Sequence, residues 1–136
     1  MTSQLYPSAR EKFLTAQLSW LTGAYRAIAL PESYIPDFDD TVVADVLAGV
    51  RIATSDEIEN RTATKGFAMC DPVHFGLLVD TRKVNSLVFF KDTGDEGTSD
   101  LIAFIDSADI IGAPVALVGF DYFFVPSSLN GSVFRL

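Results

Sequence analysis

SLVFFKDTGDEGTSDLIAFIDS, residues 86–107, decides how the rest of the chain is read. Two apolar runs, 87–90 and 101–105, flank a polar segment from Lys91 to Asp100. That segment holds Gly94, Gly97, Thr98 and Ser99, which are turn formers. The runs are short and rich in Val, Phe and Ile, which suits a pleated, half-buried surface. The stretch therefore predicts a β-hairpin with a long acidic tip, central to a mainly β fold.

Upstream, residues 8–22 predict an N-terminal helix. Ser8 is the expected N-cap, with Glu11 as its capping-box partner. Phe13, Ala16 and Trp20, with Leu14, Leu18 and Leu21, recur at spacings of three and four, and Gly23 is the expected stop. A strand is expected over 25–30, ended by Pro31. An irregular loop, PESYIPDFDD, leads to a short helix near 41–48 and a short strand over 50–53. Thr54 and Glu57 suggest a turn.

Downstream, residues 61–70 are expected to form a strand with a bulge at Gly66. Residues 73–79 form another, followed by a polar turn over 80–85. Residues 113–125 form a long apolar run. In its second half Phe120, Tyr122 and Phe124 alternate with Asp121, Phe123 and Val125, so both faces of that strand are expected to be covered. Residues 132–136 form a last strand. The pattern implies a single domain over 1–136: a β-sandwich or partly closed barrel of about seven or eight strands with one N-terminal helix.

The 136 residues are 49% apolar and 21% charged, with mean hydropathy +0.27. That composition excludes a disordered chain and hints at apolar surface covered by other chains. No apolar run approaches the roughly 18 residues of a membrane helix, and the first twelve residues lack the pattern of a secretion signal. A net charge of −8 argues against nucleic-acid binding. Cys70 is the only cysteine, so neither an internal disulfide nor a cysteine-based zinc site is available.

Few motifs carry chemistry. Asp92-Thr93-Gly94 is the tripeptide of aspartic proteases, and Ile110-Ile111-Gly112 resembles their second signature. Against that reading, Lys91 is placed to pair with the aspartate, Asp95 and Glu96 replace small apolar residues, and the two motifs are too close for a flap. The plainer reading is a turn. Asp37, Asp39 and Asp40, or Asp92, Asp95, Glu96 and Asp100, offer oxygen ligands but no EF-hand spacing. His74 is the only histidine, with no metal-binding partners visible. Cys70 is expected to be a small buried apolar residue. No catalytic, cofactor or metal residue is assigned.

The order of segments resembles a known group. Ala9-Arg10-Glu11-Lys12-Phe13-Leu14 runs to Ser19-Trp20-Leu21, then residues 26–30, Val50-Arg51-Ile52-Ala53-Thr54-Ser55, residues 88–94 with Thr98-Ser99, residues 101–106, and Val133-Phe134-Arg135-Leu136. This is similar to small virion structural proteins of tailed bacteriophages, encoded among head and neck genes. KDTG…TSDLIAFID and the closing VFRL carry most of the likeness. The aromatic GFDYFFVPSS and the loop 31–40 depart from it.

The resemblance implies a non-enzymatic building block of the virion, assembled in the host cytoplasm as a capsid decoration, cement or connector protein. Its partners would be further copies of itself and other phage structural proteins. The residues expected at the interface are Phe120, Tyr122, Phe123, Phe124, Val133, Phe134 and Leu136. Two other classes stay open. One is a small-molecule or carbohydrate-binding β module that stacks ligand on Tyr25, Tyr34, Tyr122 or Trp20. The other is an aspartic-protease-like enzyme acting through Asp92.

Overall fold

Strands are the main regular structure among the described residues, because short Val-, Phe- and Ile-rich runs are separated by Gly, Pro and Asp. A computed structural model describes residues 3–110, 113–116, 119, 121–125 and 132–135. In chain order these form β1 (Gln4–Leu5), α1 (Pro7–Leu14), β2 (Ala24–Pro31), β3 (Ala53–Thr54), β4 (Thr62–Thr64) and β5 (Phe67–Met69). There follow β6 (Val73–Leu77), β7 (Val84–Asp92), β8 (Leu101–Ile105), β9 (Asp121–Phe124) and β10 (Ser132–Arg135). The fold is mainly β and sandwich-like, with antiparallel sheets and an N-terminal helix.

The predicted hairpin is present as β7 and β8, joined by the polar tip. It lies inside a five-stranded sheet of order β1-β8-β7-β2-β3. Paired residues share a face. Ala27, Phe89 and Ala103 point to one side, and Ile28, Val88 and Phe104 to the other. All six side chains are buried.

Two smaller sheets, β10-β5-β4 and β6-β9, pack on the first side. Trp20 links Tyr25 to Phe134 with ring centroids at 4.8 and 5.2 Å, and Phe124 meets Phe89 at 6.1 Å. The loop after β2 covers the other side with Phe38, Val43 and Val46. Coverage of both faces explains why β7 reads as an unbroken apolar run rather than an alternating one.

The N-terminal helix is shorter than the sequence pattern implies. Tyr6, not Ser8, is the N-cap, and Pro7 occupies the first turn, where its missing N–H costs nothing. The helix ends at Leu14. Thr15 caps it, and Ala16 turns the chain with φ at 60°. Gly23 is therefore not its stop. Leu18 and Trp20 are buried from the following loop, whereas Leu14 and Leu21 face solvent. The apparent 3.6-residue period mixed a helix with a loop whose burial is set by the sheet beneath it.

Other local differences have similar causes. The expected helix over 41–48 is two 3-10 turns, Val43–Asp45 and Ala48–Val50. The strand expected over 50–53 is confined to Ala53–Thr54. Residues 61–70 are not one bulged strand but the hairpin β4–β5. Lys65 and Gly66, with φ of 52° and 83°, form its two-residue turn. Positive φ at both central positions is what a tight hairpin requires. Ten strands are present among the described residues, more than the seven or eight expected. Among the described residues no helix is long and apolar enough to cross a membrane.

Candidate interaction surface

β6 and β9 form a two-stranded ribbon whose inner face completes the core. Val73 opposes Phe124, His74 opposes Phe123, and Leu77 opposes Asp121. A register shift lies between His74 and Gly76, and Gly76 takes φ of 76°, open to glycine at little strain. The bulge resets the alternation. Val73, Phe75, Leu78, Tyr122 and Phe124 point inward and are buried. Leu77 and Phe123 point outward, and with Val79 and Val125 just past the strand ends they are 50–84% exposed.

His74 stands among these outward residues. Its Nδ1 lies 2.7 Å from an Asp56 carboxylate oxygen and its Nε2 lies 2.6 Å from one of Asp121. The Phe123 ring stacks on the imidazole, with centroids 4.4 Å apart and planes 27° from parallel. Asp56 is held in place because its N–H donates to the His74 carbonyl at 2.9 Å. Two carboxylates accept only if both ring nitrogens donate, which favours the imidazolium. The hydrogen bond to Asp56, and then that to Asp121, accordingly raises the His74 pKa above its usual value.

The carboxylates lie at opposite nitrogens, an arrangement that grips a cationic ring rather than chelating an ion beside it. Among the described residues no three His, Cys, Asp or Glu side chains converge to hold a metal. Glu57, Glu59, Asp71 and Pro72 continue the surface into a shallow concavity of about 580 Å³.

The acidic tip of the β7–β8 hairpin has a different role. Asp92 Oδ1 accepts the Gly94 N–H at 2.8 Å, and Asp95 Oδ1 accepts the Gly97 N–H at 2.9 Å. The Thr93 and Thr98 hydroxyls meet at 2.6 Å, and the buried Ser99 hydroxyl donates to the Asp95 carbonyl. The Asp-Thr-Gly tripeptide thus serves turn geometry here. Its aspartate pairs with Arg26 on β2 at 2.8 Å, not with Lys91 as the sequence suggested.

Each remaining tip carboxylate with a charge partner has its own cation. Asp100 meets Lys12 of α1 at 2.7 Å, and Glu96 takes a two-pronged contact from Arg51 at 2.9 and 3.1 Å. Arg51 also donates to the carbonyls of Val43 and Val46, fastening the loop that covers the sheet. Arg51 holds the Glu96 carboxyl below its usual range. Asp37, Asp39 and Asp40 lie in an exposed loop where Asp37 caps the Asp39 N–H.

Comparison with known proteins gives no match: no family model, curated protein or solved structure is similar enough to this chain to be matched. The site is therefore read from its own geometry.

The expected interface residues divide into three groups. Tyr122, Phe124, Val133 and Phe134 are buried in the chain's own core, where Phe134 packs on Phe13 and Trp20. Their side chains are taken up chiefly by the chain's own core. Phe123 alone of the described members is exposed. Phe120 and Leu136 lie outside the described residues, as do Ile111 and Gly112 of the second protease-like signature. β10 lies at the edge of its sheet.

The ring platform of the ligand-binding alternative is not assembled: Trp20, Tyr25 and Tyr122 are buried and Tyr34 is half-buried. Burial pushes the Cys70 thiol up to about 12, so it stays protonated. Sequence reasoning missed the Asp56–His74–Asp121 clamp. Its one visible trace was the alternation around His74 and around Asp121, which places both on a strand face but does not pair the strands.

Proposed function

We propose that the chain is a non-enzymatic structural protein of a tailed-bacteriophage virion, repeated in the particle and docked to neighbouring proteins through the outer face of the β6–β9 ribbon. One observation carries the reading. The ribbon fills the core with one set of apolar side chains and presents a second set, Leu77, Val79, Phe123 and Val125, to solvent. Isolated exposed apolar residues need no explanation, but a run of them on one face, rimmed by charge, marks an interaction surface. The likeness in residues 88–106 and 133–136 to phage head and neck proteins supplies the kind of assembly. The five-stranded sheet, which Phe124 meets through Phe89, gives the ribbon its base.

The test is Phe123→Asp made in the phage. The outward ring leaves the core untouched, so the protein folds with an unchanged circular dichroism spectrum. Purified particles are expected to lack the variant. A folded variant present at normal copy number in particles contradicts the reading.

A further inference from the structure

We infer that the partner seated on the β6–β9 face is a basic segment of a different polypeptide, presenting arginine beside apolar side chains, and not the same face of a second copy. This rests on the docking reading above and gives the occupant its chemistry.

The first argument is the way this face already holds a planar nitrogen ring between carboxylates and an aromatic face. His74 is held edge-on between the carboxylates of Asp56 and Asp121 and face-on to Phe123. Carboxylates in plane and an aromatic ring parallel to that plane are what a planar guanidinium also requires. The Phe123 ring and both carboxylates remain half or more exposed despite this contact, at 50%, 73% and 56%.

The second argument is charge. Glu57, Glu59 and Asp71 extend the acidic rim around Phe123 and Val125. Against these carboxylates the residues lining the concavity include neither lysine nor arginine, and His74 is their one basic side chain. A twofold contact between two such faces would set carboxylate against carboxylate, and like charges across an interface are strongly disfavoured. The chain's net charge of −8 adds a long-range field that repels a second copy and draws in a basic partner. The apolar members set the pattern: an incoming segment with cationic and apolar side chains in alternation meets the rim with one set and Phe123, Val125 and Leu77 with the other.

The probe is an acetylated six-residue peptide alternating arginine with leucine, titrated into the isotope-labelled protein and followed by backbone amide shifts. Shifts are expected at residues 56–59, 71–77 and 121–125. Replacing each arginine by citrulline, which keeps the shape and removes the charge, is expected to weaken binding about tenfold or more. Glu57→Gln with Glu59→Gln weakens it in the same direction, and Phe123→Ala removes the shifts.

Equal binding of the citrulline peptide overturns the cationic partner while leaving the docking face standing. Shifts confined to other surfaces, or no binding at all, also overturn it. Self-association of the protein alone through residues 121–125 overturns the choice of a different chain. Normal incorporation of Phe123→Asp into particles overturns the docking reading itself, independently of any peptide result.

Discussion

Phe89 and Phe123 both lie within antiparallel strands, and their surroundings could hardly differ more. Phe89 sits in the middle of β7, has no exposed surface and meets Phe124 across the core. Phe123 sits one position from Phe124 on β9, is half exposed and stacks on the His74 imidazole. The five-stranded sheet is covered on both faces and supplies the rigidity. The ribbon is covered on one face only, yet its outer face keeps apolar residues where an ordinary antiparallel sheet would show polar ones. That exposed apolar face is the ground for the docking surface proposed above.

The largest effect belongs to the covered sheet. Phe89→Ala is expected to lower unfolding free energy by about 3–5 kcal/mol, through lost transfer energy and the cavity left behind. Urea denaturation measures it, and a change near zero would mean that the two sheets do not share one core. A smaller effect belongs to the strap over the same sheet. Arg51 holds Glu96 and two carbonyls from a side chain that is 14% exposed. Arg51→Met is expected to cost about 1–3 kcal/mol, as charge-assisted bonds and the groups they satisfy are lost. Retained stability would make that loop an independent flap.

The ribbon responds to pH more than to truncation. His74 has its pKa raised in the folded chain, by Asp56 first and Asp121 second. The stabilisation from its protonated form is complete below the unfolded-state value of about 6.5. It is lost as pH rises through the folded value. Melting temperature is therefore expected to fall modestly across that window in the native chain, and to lose that component in His74→Asn. A His74→Asn profile parallel to the native one would show that the clamp is not coupled to folding.

The contrast between the two regions also marks what a sequence can reveal. Residues 86–107 were legible as a hairpin because run length, residue type and turn chemistry agree within 22 residues; Val84 and Asn85, expected in a turn, already belong to its first strand. The ends of α1 were not, because Leu18 and Trp20 satisfy a helical period while packing from a loop onto Tyr25 and Phe134. The clamp was out of reach for another reason. Asp56, His74 and Asp121 are separated by 18 and 47 positions; Asp121 reaches His74 through the pairing of β6 with β9, and Asp56 through its backbone bond to the His74 carbonyl. The aromatic density of residues 120–125 is what draws attention to that strand in the sequence. The bulge at Gly76 and the alternation along β9 then decide which of its rings turn inward, and they leave Phe123 outside.

The central claim is that the outer face of β6–β9 is covered by a partner in the assembled particle. A photo-crosslinking phenylalanine analogue at position 123 tests it most directly, with the same analogue at the exposed position of Leu14 on α1 as control. Irradiation of assembled particles is expected to join position 123 to a second virion polypeptide, in a product that position 14 does not give. Particles that contain the protein but yield no crosslink from position 123 would contradict the claim.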